Sequence, residues 1–559
     1  MTKEKLIEKK ILDSKIKTAN VKFPELILGY LLGPVGGLLT SQIFVVYLNK
    51  YWTDVLGLSG SAAKTFLTLF PLISIAFIII GNLVAGIIID KTITKQGKAR
   101  PFLLVSAPLM ACATVLLFTV PSGNEIVQFV WIAIAYNLFY SVAFPLYNTA
   151  NQMFVPLSTR NGKQRGLVSV VNGISLVAAS SFASIILPIV MPFVGVDKNI
   201  WLVAMCVFAA ISLAAVLLQF YFTRERVTEE NIKLNIKREK ISSAKQFKAV
   251  ASEKYWWLMI GFFLFFMLSG NMQNFSMVYF CDYILGTYND GFTQSVLGIV
   301  TGIPLGLGML FAWPLAKKIG KKNSILIGLV ISSLGCFIAM LSPKSWVFAC
   351  IGLFIKCLGA APASYVAMAL FSDVLEHIEA KHGFRCDGFS MSLRSIFLAT
   401  ALSICQGVFN GLTAASGYVA PSKSTVGIAN EVMKTLKDGT VVFVQNQATE
   451  KVMVWCYIGV MMVGYLICAV LVSGVTVEKS IEEDHVKIRG RQKAEVIAAG
   501  GEWISPEERM RLEQEQADRD AEAARIAELK ALCAKKGWNF EEKEAEYQQK
   551  RAAKAKKKV

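Results

Sequence analysis

Long apolar runs alternate with short, mostly basic segments along most of the chain. No ionisable residue other than Cys or Tyr interrupts Pro101–Pro121, Ile126–Thr159 or Gly166–Val196, and each run can hold a membrane span of about 20 residues. A soluble core helix of that length would carry a polar face. The pattern predicts twelve spans: Leu26–Lys50, Ala62–Asp90, Pro101–Val120, Ile126–Met153, Gly166–Val194, Ile200–Phe222, Tyr255–Leu285, Phe292–Leu315, Ser324–Leu341, Trp346–Phe371, Phe389–Ala415 and Val452–Val475. The charged stretch Thr223–Lys254 divides them into two sets of six, the arrangement of two parallel halves. The expected organisation is an N-terminal arm (1–25), a first half (26–222), a linker (223–254), a second half (255–477) and a charged helical tail (478–559).

Composition agrees with this pattern. With 54% hydrophobic and 18% charged residues and a mean hydropathy of +0.49, the chain has too little polar surface for a soluble globule. The net charge of +18 sits between the spans and forms no aromatic-interleaved groove, so nucleic acid is not an expected partner. The N-terminal arm, the linker and the loops holding Lys91–Arg100 and Lys317–Lys322 are basic, whereas Pro121–Glu125 and Gly195–Asn199 carry few basic residues. Both termini and the linker are therefore expected on the cytoplasmic side of an inner or plasma membrane. The first 25 residues are Lys-rich without an apolar core, so the first span is expected to act as an uncleaved insertion signal. The eleven cysteines show no CxxC spacing and read as small buried side chains.

Two segments depart from the span-and-loop rhythm. Tyr418–Glu450, on the outer side, reads as a tolerated insertion or as a cap over the outer mouth. Beyond Glu478, Ser505-Pro506-Glu507-Glu508 signals a helix start; a charged helix should run to Gly537 and a second from Asn539. The tail reads as a solvated appendage, with a cytoplasmic partner as the alternative.

Four stretches carry a resemblance. Asp90-Lys91 with Lys95, Lys98 and Arg100-Pro101 form an acid, alternating bases and Gly-Lys-x-Arg-Pro. The others are Tyr51-Trp-Thr-Asp-Val-Leu-Gly-Leu58, Val155-Pro-Leu-Ser-Thr with Arg165, and Asp373, Glu376, Gly383, Arg385, Asp387, Gly388 and Ser392. In this order they resemble the glycoside–pentoside–hexuronide:cation symporter family of the major facilitator superfamily, which includes the melibiose permease. The resemblance covers about Leu26 to Val475. It implies a major facilitator fold, an all-α membrane protein of two six-helix halves, and alternating access. Asp90, Lys91, Lys98, Arg100, Arg165, Asp373, Glu376, Arg385, Asp387 and Arg394 are the expected cytoplasmic gate, where ion pairs would latch one state. Plain positive-inside topology is the competing account of these bases.

The family's cavity carboxylates are missing. Leu38, Ile78 and Asn148 stand at or near three of those places, Asn82 is the remaining candidate for a cation site, and Ala399 replaces a lysine. A hard cation needs oxygen ligands, best anionic, and a proton carrier needs a titratable group, so coupling to Na+ or H+ stays open beside facilitated transport. What remains is amide-rich. Asn148, Asn151 and Gln152 share one face of the fourth span, Asn271 and Asn274 repeat the spacing on the seventh beside Gln273, and Asn172 lies on the fifth. Amides suit a polyhydroxylated ligand, and Tyr30, Tyr47, Tyr136, Tyr140, Tyr279 and Tyr365 offer ring faces; interhelical hydrogen bonding is the competing use. Lys356 lies in the tenth span without an acid at its depth, a candidate for an anionic substrate group such as a uronate or for snorkelling. Arg394 is expected to pair with Asp373 or Glu376.

The reading is a monomeric importer of a sugar or glycoside, uronides included, with no cofactor. A lysolipid or amphiphile carrier of the same fold and a non-transporting sensor stand as alternatives. An enzyme is not expected: the three histidines, His377, His382 and His485, form no HExxH or nucleophile motif.

Overall fold

The computed structural model describes residues 14–16, 18, 20–58, 60–92, 94, 97–159, 162–195, 197–229, 242–286, 288, 291–384, 386–420, 433–435, 441–498 and 506–556. Apolar runs of this length satisfy their backbone groups within the segment, and the helix does so in lipid. The first half is built from α1 (Glu25–Val55), α2 (Ser61–Lys91), α3 (Arg100–Phe118), α4 (Glu125–Ser158), α5 (Leu167–Met191) and α6 (Lys198–Phe222). The second is built from α7 (Lys254–Leu285), α8 (Phe292–Ile319), α9 (Lys321–Leu341), α10 (Trp346–His382), α11 (Asp387–Ala415) and α12 (Gln447–Lys479). α8 bends by 44° between Gly308 and Leu310. Eleven of these helices, and α8 as a bent pair, are long and apolar enough to cross a membrane. The side holding the termini and the linker is here called inner.

Neighbours within the first half run α5–α1–α6–α3–α4–α2. In the second half they run α11–α7–α12–α9–α10–α8, the same order six helices on. The halves meet along α1–α7, α2–α11 and α5–α8, and each half has its own buried apolar core. The repeat reaches individual residues. Glu225, just after α6, accepts hydrogen bonds from the backbone N–H groups of Lys98, Ala99 and Arg100 at 3.0, 2.8 and 2.8 Å. Glu478, at the end of α12, accepts from those of Lys321 and Lys322 at 2.7 and 3.0 Å. Each carboxylate satisfies orphan N–H groups at a helix start and meets the positive end of the helix dipole. Gly97 and Gly320 precede these starts with φ of +130° and +89°, and a Cβ on Gly97 would overlap the Glu225 carboxylate. That overlap explains the glycine of the Gly-Lys-x-Arg-Pro stretch.

Three expectations shift. α1 does not stop at Lys50 but continues through a wider π-type turn, Tyr51–Val55. Asp54 therefore lies inside the first span, which does hold a carboxylate beyond Glu25. α10 runs on past Phe371 to His382, and its inner end receives the tail. There α13 (Ile481–Ala498) docks through His377–Asp484 and Glu376–His485, both at 2.6 Å. Arg491 adds bonds to the carbonyls of Glu379 and Ala380. This first tail helix is therefore not simply solvated.

The remaining tail follows the sequence closely. α14 (Pro506–Lys536) and α15 (Phe540–Lys556) form a hairpin at Gly537, with Asn539 capping α15; Ser505 lies outside the described residues. The long outer segment contains a short hairpin, β1 (Met433–Thr435) against β2 (Val441–Phe443).

Candidate functional site

Every hydrogen bond between described residues that joins the two halves lies in the outer part of the helices. Lys50 of α1 and Asp282 of α7 form a buried ion pair at 2.6 Å. Asp54, 2% exposed, accepts from Tyr418 at 2.8 Å and Tyr288 at 3.1 Å, both of the second half. Thr53 meets Tyr279 at 3.2 Å, and Tyr47 donates to Gln294 at 2.8 Å. Gln406 of α11 accepts from Tyr136 and donates to Asn49, while Asn410 donates to the Leu67 carbonyl. The outer side is closed by this seam. Tyr47, Tyr136 and Tyr279, expected as sugar-facing rings, are part of it. Tyr418 brings the start of the long outer segment into the closure, so that segment is more than an insertion.

Towards the inner ends, the described charges pair within a half. Lys321 holds Asp373 at 2.6 Å, Arg226 holds Glu25 at 2.7 Å and Lys381 holds Glu253 at 2.9 Å. The Lys98–Arg100 backbone is bound by Glu225, and Arg100 donates to the Phe220 carbonyl at 2.9 Å. These contacts do not latch one half to the other. Side chains of Asp90, Lys91, Arg165 and Asp387, and the whole of Arg385, lie outside the description. The expected pairing of Arg394 with Asp373 or Glu376 is overturned: Asp373 is taken by Lys321 and Glu376 by His485. Arg394 instead lies over the Phe263 ring at 4.4 Å.

Between the outer seam and the inner ends lie the amides. Asn271 and Asn274 of α7 are half-buried and make no side-chain hydrogen bond to a described residue. Asn172 of α5 keeps a buried Oδ1 without a partner. On α4 the predicted face splits. Gln152 is exposed and donates to Asn148 at 3.3 Å. Asn151 is 5% exposed and turns into its own half, accepting from Gln219 at 2.7 Å. Tyr147 completes that α4–α6 contact. Asn82 donates to the Ile78 carbonyl of its own helix at 2.8 Å. Tyr140 packs among Phe44, Tyr136, Phe139 and Phe144. Tyr30 is buried near the inner end of α1.

Lys356, 6% exposed, donates to the Gln273 side-chain oxygen at 2.8 Å. That bond orients the Gln273 amide, with its oxygen towards Lys356 and its NH2 turned away. No group of His, Cys, Asp and Glu among the described residues could hold a metal ion. A separate crevice of about 850 Å³ between α2 and α4 is lined mainly by Phe66, Leu69, Phe70, Ile73, Phe77 and Phe129.

The missed features are the long-range ones. Lys50, Asp54 and Asp282 were visible as charges at or within spans, but their partners lie 232 and 364 residues away. The caps had a signal in the paired Thr223-x-Glu225 and Thr476-x-Glu478.

Comparison with known proteins agrees with this architecture. The family model described as MFS/sugar transport protein matches residues 29–473. The isoprimeverose transporter of Lactiplantibacillus pentosus is 27% identical over 402 residues, covering 70% of this chain and 81% of that protein. The glucuronide carrier protein homolog of Escherichia coli is 26% identical over 408 residues, covering 71% and 85%. Among solved structures, a bacterial homolog of the human lysosomal transporter Spinster superposes with a TM-score of 0.56 at 12% identity, covering 83% of this chain and 99% of that one. A D-xylose-proton symporter gives 0.52 at 15% identity, covering 80% and 97%. The two structures share the fold with this chain. This multi-pass membrane protein belongs to the MFS/sugar transport protein family, a family of transporters rather than enzymes.

Proposed function

We propose that this chain carries a sugar or glycoside across a bacterial inner membrane by alternating access, with its termini in the cytoplasm. The observation that carries the reading is a set of three amides: Asn271 and Asn274, half-buried and without a side-chain hydrogen bond to a described residue, and Asn172, whose buried Oδ1 lacks one, with an outer seam closed by Lys50–Asp282 and Asp54. Amide groups without a partner among the described residues are costly in a membrane interior unless a ligand or water meets them. A sugar hydroxyl, donor and acceptor at once, matches them.

Transport requires the outer seam to open while the inner ends come together. The described amide centre presents no carboxylate, and Asn82, whose NH2 donates to the Ile78 carbonyl, offers a cation only a neutral amide oxygen. Uptake driven by the sugar gradient alone is the expected behaviour, with neither Na+ nor H+ as an obligatory partner. The relatives named for isoprimeverose and glucuronide support the saccharide class.

The test is uptake of labelled glycosides into vesicles, with and without Na+ and proton gradients. Saturable uptake indifferent to both gradients is expected. Absence of uptake for every saccharide contradicts the carrier reading; strict gradient dependence contradicts only the uncoupled form. Lysolipids belong in the same panel, because the apolar α2–α4 crevice is the kind of cleft an amphiphile carrier uses.

A further inference from the structure

We infer that Arg394 is a recognition point for a carboxylate on the transported solute, so that this carrier favours acidic glycosides over their neutral counterparts. The inference rests on the saccharide-carrier reading and narrows it.

Three observations carry it. The first is direction. Ser390, Arg394, Ala401 and Cys405 follow helical spacing along one stripe of α11, and Ser390, Ala401 and Cys405 are 0%, 0% and 2% exposed. Cys405 bonds to the Leu268 carbonyl of α7, so the stripe faces α7 and not lipid.

The second observation is the platform. The guanidinium lies 4.4 Å from the centroid of Phe263, which is 5% exposed and packs edge-on against Phe371 of α10 at 5.6 Å. An aromatic face beside a guanidinium stabilises the charge without using its N–H donors.

The third is the missing counter-charge. The Nε of Arg394 is buried without a partner, and no described residue accepts from its terminal nitrogens. Asp373, Glu376 and Glu253 are engaged by Lys321, His485 and Lys381. A cation so placed in a membrane span is costly unless a partner or water offsets it. A planar fork held on a ring fits a carboxylate in two parallel hydrogen bonds.

The test measures transport by the full-length protein in vesicles for matched pairs of glycosides and uronides, beside Arg394→Gln, Arg394→Lys and Phe263→Leu at equal abundance. Wild type should show a lower KM for the uronide of a pair. Arg394→Gln should raise the uronide KM by about ten- to a hundredfold, the worth of a lost charged hydrogen bond, and the neutral KM by much less. Arg394→Lys and Phe263→Leu should fall between. Equal losses for both members of each pair, or a neutral preference in wild type, would overturn the inference and leave the sugar carrier standing. Uptake of no saccharide at all would remove both. Vesicles of zwitterionic lipid alone, against others containing phosphatidylglycerol, separate a lipid phosphate from the solute. An Arg394→Gln effect seen only with anionic lipid would also overturn the inference.

Discussion

The two halves share a frame and divide the chemistry. Both seal the start of their third helix in the same way, Glu225 over Lys98–Arg100 and Glu478 over Lys321–Lys322. Their interior polar groups differ. In the first half several amides are engaged by neighbours in the same half: Asn137 by Ser74 and Ser141, Asn151 by Gln219, Asn148 by Gln152. In the second half Asn271 and Asn274 keep their amides free of described partners, Lys356 meets an amide oxygen rather than an acid among the described residues, and Arg394 lies on a ring. On the proposed reading, the duplicated scaffold leaves one half mainly supportive and makes the other the principal recognition surface, with Asn172 the first half's contribution.

The largest expected effect tests the shared frame. Glu225 is fully buried and satisfies three N–H groups and Thr228, so Glu225→Ala should cost about 3 kcal/mol. Glu478, half-buried with two N–H groups, should cost about half as much on Glu478→Ala. Thermal unfolding of the two variants in detergent checks the order; equal losses would make the caps interchangeable.

Next comes the division of labour. Asn151→Ala strands Gln219 and should cost about 1–3 kcal/mol of stability, read as lower abundance and lower unfolding temperature with KM unchanged in the surviving protein. Asn271→Ala and Asn274→Ala should each raise the sugar KM by about tenfold, the worth of one hydrogen bond, at normal abundance. The reverse assignment would place recognition in the first half. The smallest effect is expected at the surface, where Lys22→Ala removes the exposed pair with Glu528 and should change stability by at most about 0.5 kcal/mol.

The sequence was legible where the physics is local. Hydropathy located the twelve helices, and Gly537 and Asn539 marked the break and the cap between the last two tail helices. The end of α1 was misplaced because Lys50 and Asp54 look like a polar boundary, whereas Asp282, Tyr288 and Tyr418 let the helix carry them buried. The spacing of Asn148, Asn151 and Gln152 identified a shared side of α4 but not which amide turns to α6, since that depends on Gln219. Arg394 was matched to acids by nearness along the chain. Lys321 and His485, from other elements, compete for them and win.

Substrate exchange across vesicles holding equal sugar on both sides, with no ion gradient, tests the central claim most directly. It isolates recognition and alternation from any driving force. The account predicts saturable exchange of a labelled glycoside, weakened about tenfold in apparent affinity by Asn274→Ala and left at wild-type affinity by Asn151→Ala. Exchange of no saccharide, or an affinity that falls with Asn151→Ala and not with Asn274→Ala, would contradict it.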